Sequence, residues 1–383
     1  LAEQHFLGIR RQLEALVQPS LEQDWFTVYL EPHPVPVSIG LLTGSTKAAA
    51  RRELLRRASE GTLDILVGTH ALIQKDVKLA NLALAVVDEQ HRFGVLQRAA
   101  LRDNTSRMSH LLLMSATPIP RTLALTVYGD LDASIISELP AGRLEIKTRL
   151  VPISRSVDAE EFIVKEVADG RQAFIVCPLI DESESVLARA ATAEFDRLRD
   201  STLSHLRVGL LHGRMPLNEK QAVMGLFRSG NLDVLVTTPV IEVGIDVPNA
   251  TVMMIQGADR FGLAQLHQLR GRVGRGEHQS YCLLLSDSLS KDSKARLDVL
   301  VKTNDGFDIA EADLRLRGAG DHFGTRQSGL PTLKMAHLDD RDLFTSARTE
   351  AQIIIAQNPT LEGLSGLAAT VSRYVTAVSD EMA

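Results

Sequence analysis

Cysteine is nearly absent from this sequence: 383 residues contain two, Cys177 and Cys282. Each sits in an apolar run, so a disulfide framework and a thiolate metal site are both excluded in favour of core positions. Aromatics are scarce at 4 %, with Trp25 the single tryptophan. No run of about 20 uncharged apolar residues exists, so no membrane span is expected. The start, Leu1-Ala2-Glu3-Gln4-His5, has neither an initiator Met nor a basic, apolar leader, which excludes a signal peptide and predicts the interior of a longer, cytoplasmic protein. An excess of positive charge is missing too: 42 Lys+Arg stand against 48 Asp+Glu, a net charge of −6. That balance argues against a protein that coats polyanions, but not against a motor whose phosphate contacts are few and local.

What is present is hydrophobic material, 44 % of the chain, arranged in short runs rich in Val, Ile and Leu that alternate with helical patterns. The runs are Leu63–Val67, Leu82–Val87, His110–Met114, Ala173–Val176, Val208–Leu211, Val234–Thr237, Thr251–Ile255 and Tyr281–Leu285. Such runs suit strands buried on both faces of parallel sheets, and the order predicts α/β units. Pro140-Ala141-Gly142 marks a linker. The predicted domains are residues 1–142, 143–290 and 291–383, the last mainly helical. Val17–Val37, with Pro32, Pro34 and Pro36, reads as an extended surface insertion.

Four motifs carry chemistry. Leu82–Val87 runs into Asp88-Glu89-Gln90-His91. Two adjacent carboxylates at a strand's carboxyl end suit a nucleotide site: Asp88 to hold Mg²⁺, Glu89 to orient or deprotonate the attacking water. Ser115-Ala116-Thr117-Pro118 follows the next strand, 26 residues after Glu89, where Ser115 and Thr117 can bond to the acid motif and relay nucleotide state. In Gln268-Leu269-Arg270-Gly271-Arg272-Val273-Gly274-Arg275, a helix would place Gln268, Arg272 and Arg275 on one face, with the arginines reaching the γ-phosphate. Gly271 and Gly274 suggest close approach of another backbone or a ligand. The fourth motif, Thr237-Thr238 leading to Gly244-Ile245-Asp246, exits a strand into a loop that can touch DNA phosphates at one end, at Thr238, and nucleotide at the other. The exits Thr43-Gly44-Ser45 and Gly68-Thr69-His70 offer backbone N–H groups and hydroxyls of the same kind.

In this order the motifs resemble the superfamily 2 helicases. The match is tighter for one family. Leu1–His5, Leu41–Ser45, Gly68–Leu72, Asp88–Gly94, Met114–Arg121, Leu211–Met215, Phe261–Gly276 and Thr303–Gly329 all resemble RecG, the branched-DNA helicases. The resemblance implies two RecA-like parallel-sheet lobes, the first incomplete, plus a mainly helical coupling region. It implies ATP and Mg²⁺ as cofactors, and branched double-stranded DNA (forks and Holliday junctions) as partner, with the full-length protein a monomer. Gly244 and Asp246 would line the lobe interface. Arg315, Arg317 and Gln327 would belong to a translocation motif. The glycines from Gly318 onward suit a hairpin lever in which Arg317 and Gln327 meet.

Three departures stand against the family pattern. The wedge domain that holds the branch is absent. No G-x-x-x-x-G-K-[ST] loop occurs, so the chain alone is expected to hydrolyse ATP negligibly. Pro239 replaces an expected Thr and removes one N–H. Two alternatives remain at this point: a transcription-repair coupling translocase and a non-catalytic DNA-binding remnant. Thr303–Phe307 and Gly324–Gly329 favour the RecG pattern over the first. Intact Glu89, Arg272 and Arg275 argue against the second.

Overall fold

The computed structural model describes residues 2–13, 16, 24–29, 35–74, 76–89, 109–115, 134–136, 138, 142–177, 184–239, 247–287, 290–321 and 341–372. The chain divides into two compact units, Leu1–Ala116 and Thr117–Ala383.

In the first unit, helix α1 (Ala2–Gln12) is followed by strands β1 (Trp25–Val28) and β2 (Val37–Leu42), helix α2 (Ala48–Glu60), and strands β3 (Ile65–Gly68), β4 (Leu84–Val87) and β5 (His110–Leu113). Its described strands form two sheets, β1-β2-β3 and β4-β5. The pairs β2–β3 and β4–β5 are parallel, but β1–β2 is antiparallel. This corrects the reading of Val17–Val37 as a surface insertion. Phe26 and Val28 of β1 are fully buried with Phe6 of α1 and Ile39 of β2, and the Phe6 and Phe26 rings lie 5.2 Å apart. Arg57 of α2 stacks over Trp25 at 4.0 Å, a cation held over an aromatic face. Residues 17–23 and 30–34 of that stretch lie outside the described residues.

The second unit is built on one sheet. Its elements are β6 (Lys147–Pro152), α3 (Ser156–Ala168), β7 (Gln172–Val176), α4 (Glu184–Arg199), β8 (Val208–Leu211), α5 (Leu217–Arg228), β9 (Val234–Thr237), β10 (Ala250–Ile255), α6 (Leu263–Arg270) and β11 (Tyr281–Ser286). Helices α7 (Lys291–Lys302), α8 (Gly306–Asp321) and α9 (Arg341–Gln357) follow. The strand order is β6-β11-β10-β7-β9-β8, parallel throughout. Alternate side chains of the central strands serve opposite faces. Phe174, Val176, Leu235, Met253 and Ile255 pack with α5 and α6 on one face. Ala173, Ile175, Val234, Val236, Val252 and Met254 pack with α3 and α4 on the other. The two layers bury nearly every residue of β7, β9 and β10, the reason these strands read as continuous apolar runs. Each such Val, Leu, Ile, Phe or Met side chain contributes roughly 1.5–3 kcal/mol.

Leu297 and Leu300 of α7 and Ile309 of α8 belong to the same core as α6. Helices α7 and α8 therefore share the core of the second sheet. Cys177 and Cys282 are buried free thiols, and burial pushes each up to about 12, so neither is a reactive thiolate at neutral pH.

Candidate nucleotide and DNA site

In the first unit, β4 delivers Asp88 at its carboxyl end. The adjacent Glu89 sits at φ 54°, in the left-handed region that a residue other than glycine adopts uncommonly. Asp88 Oδ1 accepts the Glu89 N–H at 2.9 Å, and Asp88 Oδ2 lies 3.2 Å from His5 Nε2 of α1. One Glu89 carboxylate oxygen is buried. A strained backbone at an acid pair is the kind of outlier that marks a site. The Met114 N–H donates to the Val87 carbonyl at 2.8 Å, so Ser115 leaves β5 beside the pair. Thr117 lies outside the described residues. As an oxygen donor, Asp88 fits Mg²⁺, an ion that keeps most of its waters and needs only one or two carboxylates. Its existing contact to His5 is a competitor for that role.

The exits of β2 and β3 are neighbours, since Leu42 pairs with Gly68. Thr43-Gly44 and Gly68-Thr69-His70 thus share one edge. A Cβ on Gly68 would meet the Leu42 carbonyl at 2.2 Å, so only glycine fits. The hydroxyls are already employed locally. Thr43 is buried and its Oγ1 lies 2.9 Å from Ser45 Oγ, while Thr69 Oγ1 accepts from the Ala71 N–H at 3.5 Å and caps the short helix His70–Ile73. Gly44, Thr69 and His70 are exposed, and space around Gly44 is open.

In the second unit, Thr238 leaves β9 beside the end of β8, its N–H donating to the Leu211 carbonyl at 3.2 Å. Its Oγ1 is buried without a hydrogen-bond partner, as is Nδ1 of neighbouring His212. Burial, then Lys220 and Arg214, hold the His212 imidazole below its ordinary range. Gly244 and Asp246 lie outside the described residues.

The arginine motif is built differently from its sequence reading. Helix α6 stops at Arg270, and Gly271 is its C-cap. A one-face helical spacing therefore does not extend from Gln268 to Arg272 and Arg275. Only Gln268 is on the helix; the arginines ride on the turn beyond it. That turn is closed by Arg272 N–H to Leu269 O and Val273 N–H to Arg270 O, 3.0 and 3.2 Å. Gly274 then takes φ +75°, where a Cβ would sit 2.9 Å from Ile146 Cγ1, and Val273 is fully buried. Close approach is real at Gly274. At Gly271 it is not, the nearest atoms being its own helix carbonyls at 3.5 Å.

Arg275 is exposed, with Nε 3.4 Å from the Gly271 carbonyl. Arg143 approaches the same turn and donates from Nε to the Gly274 carbonyl at 2.9 Å. Burial and then the charge of Arg275 lower the Arg143 guanidinium from its ordinary value. The sequence reading missed Arg143 and Arg270. Arg270 could have been found: Leu263, Leu266 and Arg270 recur at i, i+3 and i+7, the buried face of α6.

In the carboxyl-terminal region, α8 runs as helix through Gly318-Ala319-Gly320, which corrects the expectation that these glycines form a hairpin. Arg315 is exposed, 3.4 Å from the Glu311 carbonyl within its own helix. The Arg317 side chain and Gln327 lie outside the described residues.

Comparison with known proteins gives three family models: DEAD/DEAH box helicase at residues 21–126, helicase conserved C-terminal domain at 157–277, and ATP-dependent DNA helicase RecG, domain 3, C-terminal, at 303–364. The ATP-dependent DNA helicase RecG of Synechocystis is 49 % identical over 94 % of this chain and 41 % of that protein. The RecG of Bacillus subtilis is 50 % identical over 84 % of this chain and 47 % of that protein. The chain thus spans somewhat under half the length of these relatives. The solved structure of RecG bound to a three-way DNA junction matches with TM-score 0.64 and 41 % identity over 90 % of this chain and 42 % of that one. The Mycobacterium smegmatis helicase Lhr matches at TM-score 0.52 and 19 % identity, over 70 % of this chain and 37 % of that one, a likeness of fold alone. No helix among the described residues is long and apolar enough to cross a membrane.

Proposed function

The chain belongs to the RecG family of ATP-dependent DNA helicases, and we propose that it is the motor portion of an enzyme that remodels stalled forks and Holliday junctions in DNA repair and recombination. The family's use of ATP carries over; Mg²⁺ as its companion, a monomeric working state and a cytoplasmic setting are part of the proposal. The observation that carries it is the acid pair at the end of β4, with Glu89 held left-handed beside Asp88 and Ser115 alongside.

In this reading Asp88 is the protein's carboxylate for Mg²⁺, which when bound neutralises phosphate charge. Glu89 orients the attacking water and takes its proton. Gln268 contacts the nucleotide from α6, while Arg272 and Arg275, projected from the turn that Gly274 closes, offset negative charge as the phosphoryl group transfers. Gly244 and Asp246 line the interface between lobes. Thr43, Gly44, Gly68, Thr69, His70 and Thr238 face DNA. For Thr43 and Thr69 the loop backbone is the better donor, because the hydroxyls are engaged. At Thr238 the buried, unpartnered Oγ1 supports a phosphate contact, because such a group otherwise costs stability. Ser115, Thr117, Arg315, Arg317 and Gln327 couple nucleotide state to movement.

The match to the RecG-specific domain at residues 303–364 favours this reading over a transcription-repair coupling translocase. The sequence contains no G-x-x-x-x-G-K-[ST] loop, so ATP turnover is expected from the protein of full family length and not from this chain by itself. In the full-length protein, Glu89→Gln is expected to retain ATP binding and lose DNA-stimulated hydrolysis, and Arg275→Ala to slow hydrolysis by about 10³-fold. Wild-type turnover in the Glu89 variant would remove Glu89 from catalysis, and absence of turnover in the unaltered full-length protein would return the chain to the class of non-catalytic DNA-binding remnants. A loss of tenfold or less at Arg275 assigns it a structural role.

A further inference from the structure

Among the described residues Arg270 is the largest fully buried side chain, and no carboxylate is among its hydrogen-bond partners. It ends α6, immediately before the turn that carries Arg272 and Arg275. Its Nη1 donates to the carbonyls of Leu300 at 2.8 Å and Thr303 at 3.0 Å, with Thr148 Oγ1 of β6 at 3.4 Å. Its Nη2 lies 3.1 Å from Nδ1 of His267, one helical turn back. The main partners are therefore the free carbonyls at the carboxyl end of α7, where a helix leaves acceptors unsatisfied and favours a cation.

The gripped residue is an elbow. Thr303 is the C-cap of α7, and its Oγ1 accepts the Asp305 N–H at 3.0 Å and lies 3.2 Å from Asp308 Oδ2. Asp305 Oδ1 in turn accepts the Phe307 N–H at 2.7 Å and starts α8. One guanidinium thus joins the end of α6 to the junction of α7 and α8. A core needs volume there, not a buried charge: a cation taken from water loses its solvation unless its donors are satisfied, and an apolar side chain of like size would avoid that loss.

We propose that Arg270 is a positioning residue that transmits displacement of the Arg272–Arg275 turn to the α7–α8 elbow, and so into the coupling region. This rests on the reading of that turn as nucleotide-facing. A rigid, multidentate link is what such transmission requires, because coupling travels through packed, hydrogen-bonded elements. Loss of the link leaves the arginine turn on its own supports, the buried Val273 and the bond from Arg143 to the Gly274 carbonyl.

The test uses Arg270→Gln and Arg270→Lys in the full-length protein, with ATP turnover and fork unwinding measured on the same preparations. Expected for Arg270→Gln is turnover within about twofold of wild type and at least about tenfold fewer forks unwound per ATP, with Arg270→Lys between the two. Hydrogen exchange of amides 300–308 is expected to respond to nucleotide in the wild type and not in Arg270→Gln. Unchanged unwinding per ATP overturns the proposal. So does proportional loss of both activities, or wholesale melting of both variants, either of which makes Arg270 a core residue only. Arg275→Ala serves as the independent control. If it keeps full turnover, the nucleotide-facing reading fails, whatever the Arg270 variants do.

Discussion

Val86 in β4 and Met254 in β10 are both apolar residues in parallel strands, yet Val86 is 52 % exposed and Met254 is fully buried. Leu84 and Leu112 of the β4–β5 pair are half exposed as well, whereas β7, β9 and β10 are covered by helices on both faces. The difference shows that the acid pair of the first unit and the arginine turn of the second rest on different supports. The arginine turn is anchored by a core: Val273 beneath it, α6 behind it, Arg270 tying α6 to α7. The acid pair is anchored by local bonds, Asp88 to the Glu89 N–H and to His5, and by a strained backbone. Substitutions should therefore act through packing energy in the second unit and through local conformation in the first.

The largest separation is expected between two truncations. Met254→Ala should cost roughly 2–5 kcal/mol, the usual range for emptying a closed core. Val86→Ala should cost no more than about 1 kcal/mol, since most of its area already meets water. Denaturant melts of the two variants check this. Equal losses would mean that the β4–β5 pair is as well covered as the large sheet, and the contrast would collapse.

Acid comes next. Burial first, and then Arg270, lower the His267 imidazole to about 4 against an ordinary 6.5, with Asp305 opposing. The unfolded chain binds this proton more readily than the folded one. Stability is therefore fully present above pH 6.5 and falls as pH drops through the window from 6.5 to 4, by roughly 3 kcal/mol at the low end. Neutral His267 can accept from Arg270; the charged form cannot. His267→Gln keeps an acceptor without the titration, so its melting should lose this slope between pH 7 and pH 4. A variant slope equal to that of wild type would remove His267 from the account.

Gly274 sharpens the same contrast at smaller scale. Gly274→Ala places a Cβ in the left-handed region and against Ile146, so a loss of about 1–3 kcal/mol is expected, with Arg275 displaced. Gly271→Ala, at an ordinary α backbone with open contacts, should be near neutral or mildly stabilising, by a few tenths of a kcal/mol. Thermal melts of the pair decide it, and a reversed order would show that the turn relaxes.

These contrasts also mark what the sequence could tell. Fully buried strands such as Phe174–Val176 and Val234–Val236 announce themselves, because burial on both faces leaves no polar interruption. The edge strand β6, Lys147-Thr148-Arg149-Leu150-Val151-Pro152, does not: solvent on one side admits charge and proline, and the segment is missing from the apolar runs read as strands. β1 hid among prolines for the same reason, although its Phe26 and Val28 are core. Asp88, Glu89 and Ser115 were legible because their order along the chain is their order in space, on adjacent strands. The arginine turn was legible in composition but not in geometry, since nothing in the spacing of Arg272 and Arg275 announces that the helix ends at Arg270. Arg270 itself was masked by its charge, which suggests a surface until its place on the Leu263–Leu266 face is counted.

The smallest effect is the most diagnostic, and it concerns Glu89. A non-glycine residue in the left-handed region costs about 1–2 kcal/mol. Glycine removes that cost but gives the unfolded chain more freedom, worth about 0.5–1 kcal/mol. Glu89→Gly should therefore be stabilising by up to about 1 kcal/mol, while Glu89→Gln, which keeps the Cβ, should leave stability within about 0.5 kcal/mol of wild type. Both should abolish hydrolysis in the full-length protein, because neither carries the carboxylate. A packing role for Glu89 predicts the opposite order: glutamine keeps the shape of the side chain around the buried position, and glycine, losing the whole side chain, would be the worse. Chemical melts beside single-turnover hydrolysis separate the two. If Glu89→Gly is the less stable variant, the left-handed backbone is not strain held for the sake of the carboxylate, and the first unit is supported by packing after all, as the second is.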